Sequence, residues 1–470
     1  MSIQTALYAA LSGLRSTQLQ AATVSHNISN ATTPGFVRKE LDITASFTGG
    51  HGDGVRVEGI ARRVDEMLIR DARFEQSRYT AQEARASALS QYTDVLGQPQ
   101  DERSVATAVA KLQQTFSQLH GQPEDEAAQQ AVVDRANGLA RSIRDTASAA
   151  TTAQADAVER MKNSVEDVNK ALVQISQLNQ KISYQEAIKG DSTDLRDQRD
   201  RLLDSVSQEI GIRTYTREDG QVVVMTRNGQ TLLDRELAPG AQPLQVNQTA
   251  AGFELTAGGK VISANPEQDI QSGRIMGYVQ VATQDMPKVL KQLDTLAAGL
   301  VKGFQDAEAD PTKPGLFVDG NPPTPASTDG LATRLQVNSV VQGNSWRVQS
   351  GMQAATPLPP GDQTQIKKYL AVFKTSTGFT APDTPGTATL GDFAKAMVST
   401  QQGYRTTAES DMKSRKISAD VLESARINRD GVNIDTEMQK LQLIEQSYGA
   451  SAQVIQVAGR MLDTLLQLRN

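Results

Sequence analysis

The chain has 470 residues, with 48 Lys and Arg against 54 Asp and Glu, a formal charge of −6 and no cysteine. Only 38% of residues are hydrophobic and 4% aromatic, below the usual apolar share of about 45–50%, so thin cores and much helical surface are expected. Disulfides, cysteine zinc sites and thiol nucleophiles are excluded, and the acidic balance argues against nucleic acid as a non-specific partner. The length leaves room for about three domains. No run of about 18 apolar residues occurs, so no membrane insertion is expected. Met1-Ser2-Ile3-Gln4-Thr5 has neither a basic n-region nor an apolar h-region. The expectation is a cytoplasmic protein, or one exported by a route that cuts no signal.

Ile3, Leu7, Ala10, Leu14, Thr17, Ala21, Val24 and Ile28 alternate in steps of four and three, the spacing of a coiled-coil seam. Helix is predicted again over about 65–96, closed by the turn signal Gly97-Gln98-Pro99. A very long helix is predicted over about 125–188, with the seam Val158, Met161, Val165, Val168, Leu172, Ile175, Asn179 and Ile182. Asn179 in such a seam reads as a register-fixing polar residue between helices. Helix continues over 191–206. From about Gly211 the texture turns to short β pieces, with Asp219-Gly220 as a hairpin signal. Helix returns at 286–304. Residues 310–390 are rich in Pro, Gly and Thr, with one possible helix near Gln365–Phe373. A last helical stretch starts near Asp392 and breaks at Asp430-Gly431-Val432-Asn433. It leads into a second terminal seam: Leu441, Ile444, Tyr448, Ser451, Ile455, Ala458, Leu462 and Leu465.

Both ends of the chain are thus built to pair, with each other or with neighbouring subunits. The hypothesis at this stage is that residues before about 40 and after about 430 are mobile alone and order on assembly. The fold class expected is mainly α with β inserts, elongated. It has terminal coiled-coil helices, a long-helix bundle domain and one or two small β-rich domains. The boundaries are 1–64 with 425–470 for the terminal domain, and 65–210 with 276–317 and 391–424 for the bundle. A β-rich segment takes 211–275 and a β/loop-rich outer domain 318–390.

No catalytic constellation is found, and no cofactor or metal site is expected. His26, His51 and His120 are not at metal-ligand spacing. Gly49-Gly50-His51-Gly52-Asp53-Gly54 reads as a flexible turn before a strand at Val55–Ile60. Asp194, Asp197, Asp200 and Asp204 are interleaved with Arg196, Arg199 and Arg201, which reads as a solvated face with ion pairs along the helix.

One local motif follows the first seam. In Ser25-His26-Asn27-Ile28-Ser29-Asn30-Ala31-Thr32-Thr33-Pro34-Gly35-Phe36, Asn27 and Asn30 can satisfy helix-end carbonyls or adopt left-handed geometry. Pro34-Gly35 suits a type II turn, and Phe36 anchors the outgoing chain. This stretch resembles the N-terminal signature of the bacterial flagellar axial proteins of the rod, hook and hook-associated group, roughly Ala-Asn-Asn-Ile-Ala-Asn-x-x-Thr-Pro-Gly-Tyr. Gly52 to Ile60 with Arg62, Asp65 and Leu68 resembles the next block. Gly431-Val432-Asn433-Ile434-Asp435-Thr436-Glu437 with Leu441, Tyr448 and Leu462-Asp463-Thr464-Leu465-Leu466 resembles the C-terminal one. Asp194 to Leu203 after long helices, and the Gly431 to Glu437 segment, look like the hook-associated members and not like the hook. The inserts at about 215–270 and 318–390 match nothing nameable and are short.

The resemblance implies a non-enzymatic structural role at the hook–filament junction, outside the cell. The partners it implies are the hook protein, a second junction protein (hook-associated protein 3), further copies in a helical layer and a flagellar export chaperone. The implied assembly residues are Ile3, Leu7, Leu14, Val24, Asn27, Ile28, Asn30, Pro34, Gly35, Phe36, Val432, Asn433, Leu441, Ile444, Tyr448, Ile455, Leu462 and Leu465. Ile455, Leu462 and Leu465 are the chaperone candidates. The rival readings are a hook or distal-rod protein, which should lack the 158–182 seam, and a secreted helical adhesin or effector.

Overall fold

A computed structural model describes residues 3–48, 51–249, 252–320, 325 and 327–467, without the side chains of 48, 51–53, 465 and 466. The N-terminal elements are α1 (Ile3–Ser29), β1 (Lys39–Thr48), β2 (His51–Arg62), α2 (Glu66–Leu96), α3 (Val105–Gly121), α4 (Glu126–Ala187) and α5 (Thr193–Glu209). Strands follow: β3 (Ile212–Thr216), β4 (Val222–Thr226), β5 (Thr231–Leu233), β6 (Leu244–Thr249), β7 (Gly252–Ala257) and β8 (Lys260–Val261). Then come α6 (Pro266–Asp269), α7 (Arg274–Gln280) and, after a π-helical turn at Val281–Asp285, α8 (Met286–Asp306). The Pro-rich region holds β9 (Phe317–Asp319), α9 (Leu331–Arg334), β10 (Leu335–Val337), α10 (Arg347–Ser350), α11 (Thr364–Lys374), β11 (Thr377–Gly378) and β12 (Thr387–Ala388). The chain ends with α12 (Leu390–Asp430) and α13 (Ile434–Gln467). The fold is mainly α, with small antiparallel sheets of two or three strands. No described helix is long and apolar enough to cross a membrane.

Most helices lie within a few residues of their expected bounds. α3 was not expected, although Val105, Val109, Leu112, Phe116 and Leu119 repeat in steps of four and three and are all fully buried. Ser104 caps that helix by accepting from the Ala106 N–H at 3.2 Å. β1 was not expected either, and residues 51–54 of the expected flexible turn belong to β2, which pairs with β1 from Lys39↔Arg62 to Thr48↔His51, while Gly49 and Gly50 lie outside the described residues. Gly54 lies in that strand at φ 132°, where a Cβ would sit 2.1 Å from Ser12 Oγ. Only glycine lets β2 pass that close to α1.

The chain divides into two compact units. Unit 1 comprises residues 1–79, 165–273 and 414–470; unit 2 comprises 80–164 and 274–413. In unit 2, α3, α8 and α11 enclose an aromatic cluster. Phe304 lies 5.2 Å from Phe317, 5.3 Å from Tyr369 and 5.8 Å from Phe116 between ring centroids, within the range of favourable ring pairs.

In unit 1, Val168, Leu172, Ile175 and Ile182 of α4 are buried, as are Val222 and Val224 of β4 and Leu244 of β6. Asn179 is fully buried but does not set a helix–helix register. Its Nδ2 donates to the Val222 carbonyl at 2.8 Å, and the Val222 N–H donates to its Oδ1 at 3.1 Å. Ten residues earlier on α4, Asn169 holds Leu244 in the same way, at 2.8 and 3.1 Å. A carboxamide sets an N–H donor and a carbonyl acceptor side by side in one plane, so it substitutes for a peptide edge and satisfies the first residue of each strand, with a second N–H to spare.

Candidate assembly site

The two terminal helices are each other's partners. Asn27 of α1 meets Glu437 of α13 at 3.0 Å, and Gly13 faces Ser451; stepping back along one helix steps forward along the other, so the pair is antiparallel. On α1, Val24 is buried, while Ile3, Leu7, Leu14 and Ile28 are half-buried. On α13, Leu441, Ile444 and Ile455 are half-buried and Ala458 is buried. Tyr448 and Leu462 remain exposed, and the Leu465 side chain lies outside the described residues.

The signature loop has a defined geometry. Asn30 Nδ2 donates to the His26 carbonyl at 3.0 Å, closing the helix end. The Phe36 N–H donates to the Thr33 carbonyl at 3.1 Å and Gly35 has φ 71°, as a type II turn at Pro34-Gly35 requires. Any side chain at Gly35 would also meet Arg201 Cγ at 2.7 Å. Phe36 packs edge-on against His26 at 5.4 Å and lies under the Lys39 ammonium at 4.9 Å. Pro34 is exposed. At the far end Val432 is half-buried, and exposed Asn433 caps α13 by accepting from the Thr436 N–H at 3.0 Å.

Asn27 departs from its expected part as a helix-end cap. It is fully buried, and it holds Lys39, the first residue of β1, with the same two hydrogen bonds that Asn169 and Asn179 make, at 2.8 and 3.1 Å. Its remaining donor goes to Glu437. Glu437 is 1% exposed and lies 3.1 Å from Arg38 and 3.5 Å from Lys440. Lys440 and Arg63 in turn reach Glu40, at 2.9 and 2.6 Å. Partial burial pushes the Glu40 carboxyl up, but hydrogen bonds from Lys440 and Arg63 and the Arg38 charge outweigh it and bring it to about 2. Asp430, at the α12–α13 break, accepts from the Arg38 N–H at 2.9 Å through its carbonyl and from the Asp65 N–H at 3.1 Å through its carboxylate.

Lys39 extends this arrangement into the interior. It is 3% exposed, pairs with Asp194 and lies 3.7 Å from Asp197. Arg62 meets Asp197 at 2.8 Å and Asp200 at 2.5 Å. Arg73 meets Asp204 at 2.5 Å, and Arg426 reaches the same carboxylate at 2.9 Å. The acidic run of α5 is therefore not a solvated face paired along its own helix. It is a ladder that runs from exposed Asp194 through buried Asp197 to half-buried Asp200 and Asp204 and binds β1, β2, α2 and α12. Burial raises Asp197 against the pull of Arg62 and Lys39; at Asp200 the pull of Arg62 and Arg73 outweighs burial and lowers it. Arg199, also buried, donates to the Asn179 Oδ1 at 3.1 Å and the Gly220 carbonyl at 2.7 Å, and burial drops it to about 10. Charges alternating along α5 were visible in the sequence, but which face is buried depends on strands more than 130 residues away. Lys39, Glu40, Arg73 and Arg426 carried no such signal. Among the described residues no three acidic or histidine side chains stand together as a metal site.

The chain is similar to known proteins over much of its length. Residues 89–316 match the helical domain of the flagellar hook-associated protein FlgK. Residues 424–468 match the C-terminal region of flagellar basal body rod proteins, and 7–36 match the flagella basal body rod protein family. Flagellar hook-associated protein 1 of Salmonella typhimurium is 27% identical over 326 residues, 66% of this chain and 57% of that protein. The chain thus spans just over half the length of that relative. The protein of the same name from Bacillus subtilis is 23% identical and covered to 96% on both sides. The flagellar hook junction protein FlgK from Burkholderia pseudomallei gives a TM-score of 0.47 at 19% identity, over 53% of this chain and 47% of that one.

Proposed function

The chain belongs to the family of flagellar hook-associated protein 1, among the flagellar rod and hook axial proteins, and from that premise we propose that it is a structural subunit joining hook to filament. The observation that carries this reading is an apolar face left over once α1 and α13 have paired. Leu443, Val454, Val457 and Met461 are 64, 45, 40 and 52% exposed. With Ser447 and Ala450 they repeat in steps of four and three, a second seam on α13 turned away from α1. Tyr8, Leu11 and Leu19 add exposed apolar surface on α1. Such surface on a chain this poor in apolar residues suits partner helices.

The proposed neighbours are the hook protein, hook-associated protein 3 and copies of the same chain, since a heterologous contact that repeats itself builds an open helical layer. The proposed place is the flagellum outside the cell, reached without a cleaved signal, and the proposed role is mechanical and without catalysis or cofactor. Residues 1–64 with 425–470 form the proposed assembly domain. The bundle (65–210, 276–317 and 391–424) and the inserts at 211–275 and 318–390 support it. Ile3, Leu7, Leu14, Val24, Ile28, Leu441, Ile444 and Ile455 shape the surface from the paired side. Asn27, Asn30, Pro34, Gly35, Phe36, Val432 and Asn433 set its angle, and Tyr448 and Leu462 face outward. Before assembly, Ile455, Leu462 and Leu465 are proposed to seat in the groove of an export chaperone; Leu462→Asp with Leu465→Asp should abolish that binding. Deleting the chain should leave hooks without filaments and flagellin released as monomer, seen by electron microscopy. Filaments of normal length on the deletion strain would end this reading.

A further inference from the structure

Away from the terminal helices, unit 1 sets two guanidinium groups, of Arg227 and Arg78, against the Phe74 ring and brings the charges of Arg70 and Arg213 near Arg227. Arg70, Phe74 and Arg78 are spaced four apart on α2 and share a face. Arg227, just beyond β4, stacks with its Cζ 3.8 Å from the Phe74 centroid, and Arg78 lies 5.5 Å from the same ring. The Arg227 N–H donates to the Gly211 carbonyl at 3.2 Å, carrying the β3–β4 ladder one step further. Arg213 pairs with Met225, two residues before Arg227, so both arginines lie on one side of the hairpin. Arg70 and Arg78 have Asp71 and Glu75 at 3.2 and 2.7 Å. Among the described residues the Arg227 guanidinium bonds the neutral Gln271, at 3.2 Å, and no carboxylate. Burial, with the charges of Arg213, Arg70 and Arg78, holds its guanidinium below the usual range. In a chain of net charge −6, such a gathering of like charge is unfavourable until an anion meets it.

The opposite end of the same hairpin is acidic. Glu218 and Asp219 are exposed in its turn, past the last ladder pair Thr216↔Val222. Five strand residues at about 3.4 Å each separate the two ends by roughly 14–17 Å, beyond the Debye length of about 8 Å at physiological salt. The ends therefore act independently. We propose that the arginine patch of one copy receives the Glu218–Asp219 turn of the next copy in the axial layer. The contact rests on the axial-subunit reading, and being head-to-tail it propagates without closing. Asp71, 54% exposed beside Arg70, interrupts the patch with a negative charge. That arrangement fits a protein face of mixed charge better than a polyphosphate backbone.

The absence of cysteine makes the test clean. Arg213→Cys with Glu218→Cys is introduced into the full chain, and isolated flagella are oxidised. The two positions are too far apart to bridge within one chain, because a disulfide needs Cα atoms within about 7 Å. The expected result is a ladder of disulfide-linked multimers, absent from either single variant. Adding Arg227→Glu should cut its yield about tenfold or more at low salt, and Asp219→Arg in that background should restore it. Flagella that contain the chain but yield only monomers, or links from a single variant, would overturn this contact alone. Flagella that lack the chain would sink the axial reading and the contact with it.

Discussion

Unit 1 and unit 2 close their interiors with different chemistry. Among the described residues every buried aromatic ring lies in unit 2: Tyr92, Phe116, Phe304, Phe317, Tyr369, Phe373, Phe379 and Phe393. Unit 1 has none and instead buries Lys39, Asp197, Arg199, Asp430 and Glu437. Unit 2 also buries carboxylates, but two of them are met by neutral donors. Asp294 accepts from the Gly330 and Ala332 N–H groups, both at 2.8 Å. Glu308 accepts from Tyr369 and from the Met352 N–H at 3.0 Å. Burial of apolar ring surface is largely non-directional and supplies stability. Buried ion pairs and carboxamide clamps contribute less net stability, but each works in one geometry only. The unit that carries both chain ends and the signature loop is the one held by directional bonds.

The largest effects should come from breaking each interior in its own terms. Arg62→Ala takes the nearest cation from Asp197 and Asp200, leaving Lys39 at 3.7 Å and Arg73 at 3.4 Å, and should cost about 3 kcal/mol; Phe304→Ala should cost about 3–5 kcal/mol through a cavity. In urea unfolding followed by probes in each unit, Asp197→Leu with Arg62→Met should recover part of the first loss. A cost near zero for Arg62→Ala would erase the contrast. Next, Asn179→Ala leaves the Val222 N–H and C=O buried without partners, and about 1–3 kcal/mol is expected. Asn27→Ala should do the same at Lys39 and also loosen Glu437, so it should be at least as costly.

Acidity separates the units more finely. Glu40 sits at about 2 against its usual 4.5. Its contribution is therefore full above pH 4.5 and lost as pH falls toward 2. Glu308 and Asp294 are raised by burial. Their ionised forms oppose folding, so unit 2 should gain stability as pH falls through their raised values and lose it as pH rises. Asp197, raised by burial, offsets part of the acid loss in unit 1. Glu40→Gln should flatten the acid limb of unit 1, and Glu308→Gln the mild-acid gain of unit 2, in unfolding curves measured across pH. Gly35→Ala should have the smallest effect on stability, about 1–2 kcal/mol from its left-handed backbone plus whatever displacing Arg201 adds. In the dilute chain, amides of α1 and α13 should exchange faster than those of α8, whose contact face is fully buried. Equal protection would place the terminal helices on the same footing as the aromatic core.

Much of the helical layout was legible because periodicity is a local property. The terminal seams, the long α4 and the Asp430-Gly431 break needed only spacing and a glycine. The spacing of α3 is just as local, as is that of the Leu443–Met461 stripe, which lies on the same helix as the more obvious seam. The Pro34-Gly35 turn followed from backbone preferences alone. Partners were another matter. Asn27, Asn169 and Asn179 are three similar residues on helices, and nothing local says that each is matched to the first residue of a strand. The acidic run of α5 read as solvent-facing because charge usually is. Asp197 is buried, and Asp200 and Asp204 half-buried, because Lys39, Arg62, Arg73 and Arg426 arrive from four other elements.

The order of residues by itself determined where helices begin and end, which stripes are apolar and which family signatures the two ends carry. These depend on neighbours three or four positions apart. Only the tertiary structure decided which stripe is covered, which stays exposed, and which charges are interior. Burial is a property of residues brought together across hundreds of positions, and the same Asp–Arg alternation is stable in water or in a core, depending on what is folded against it.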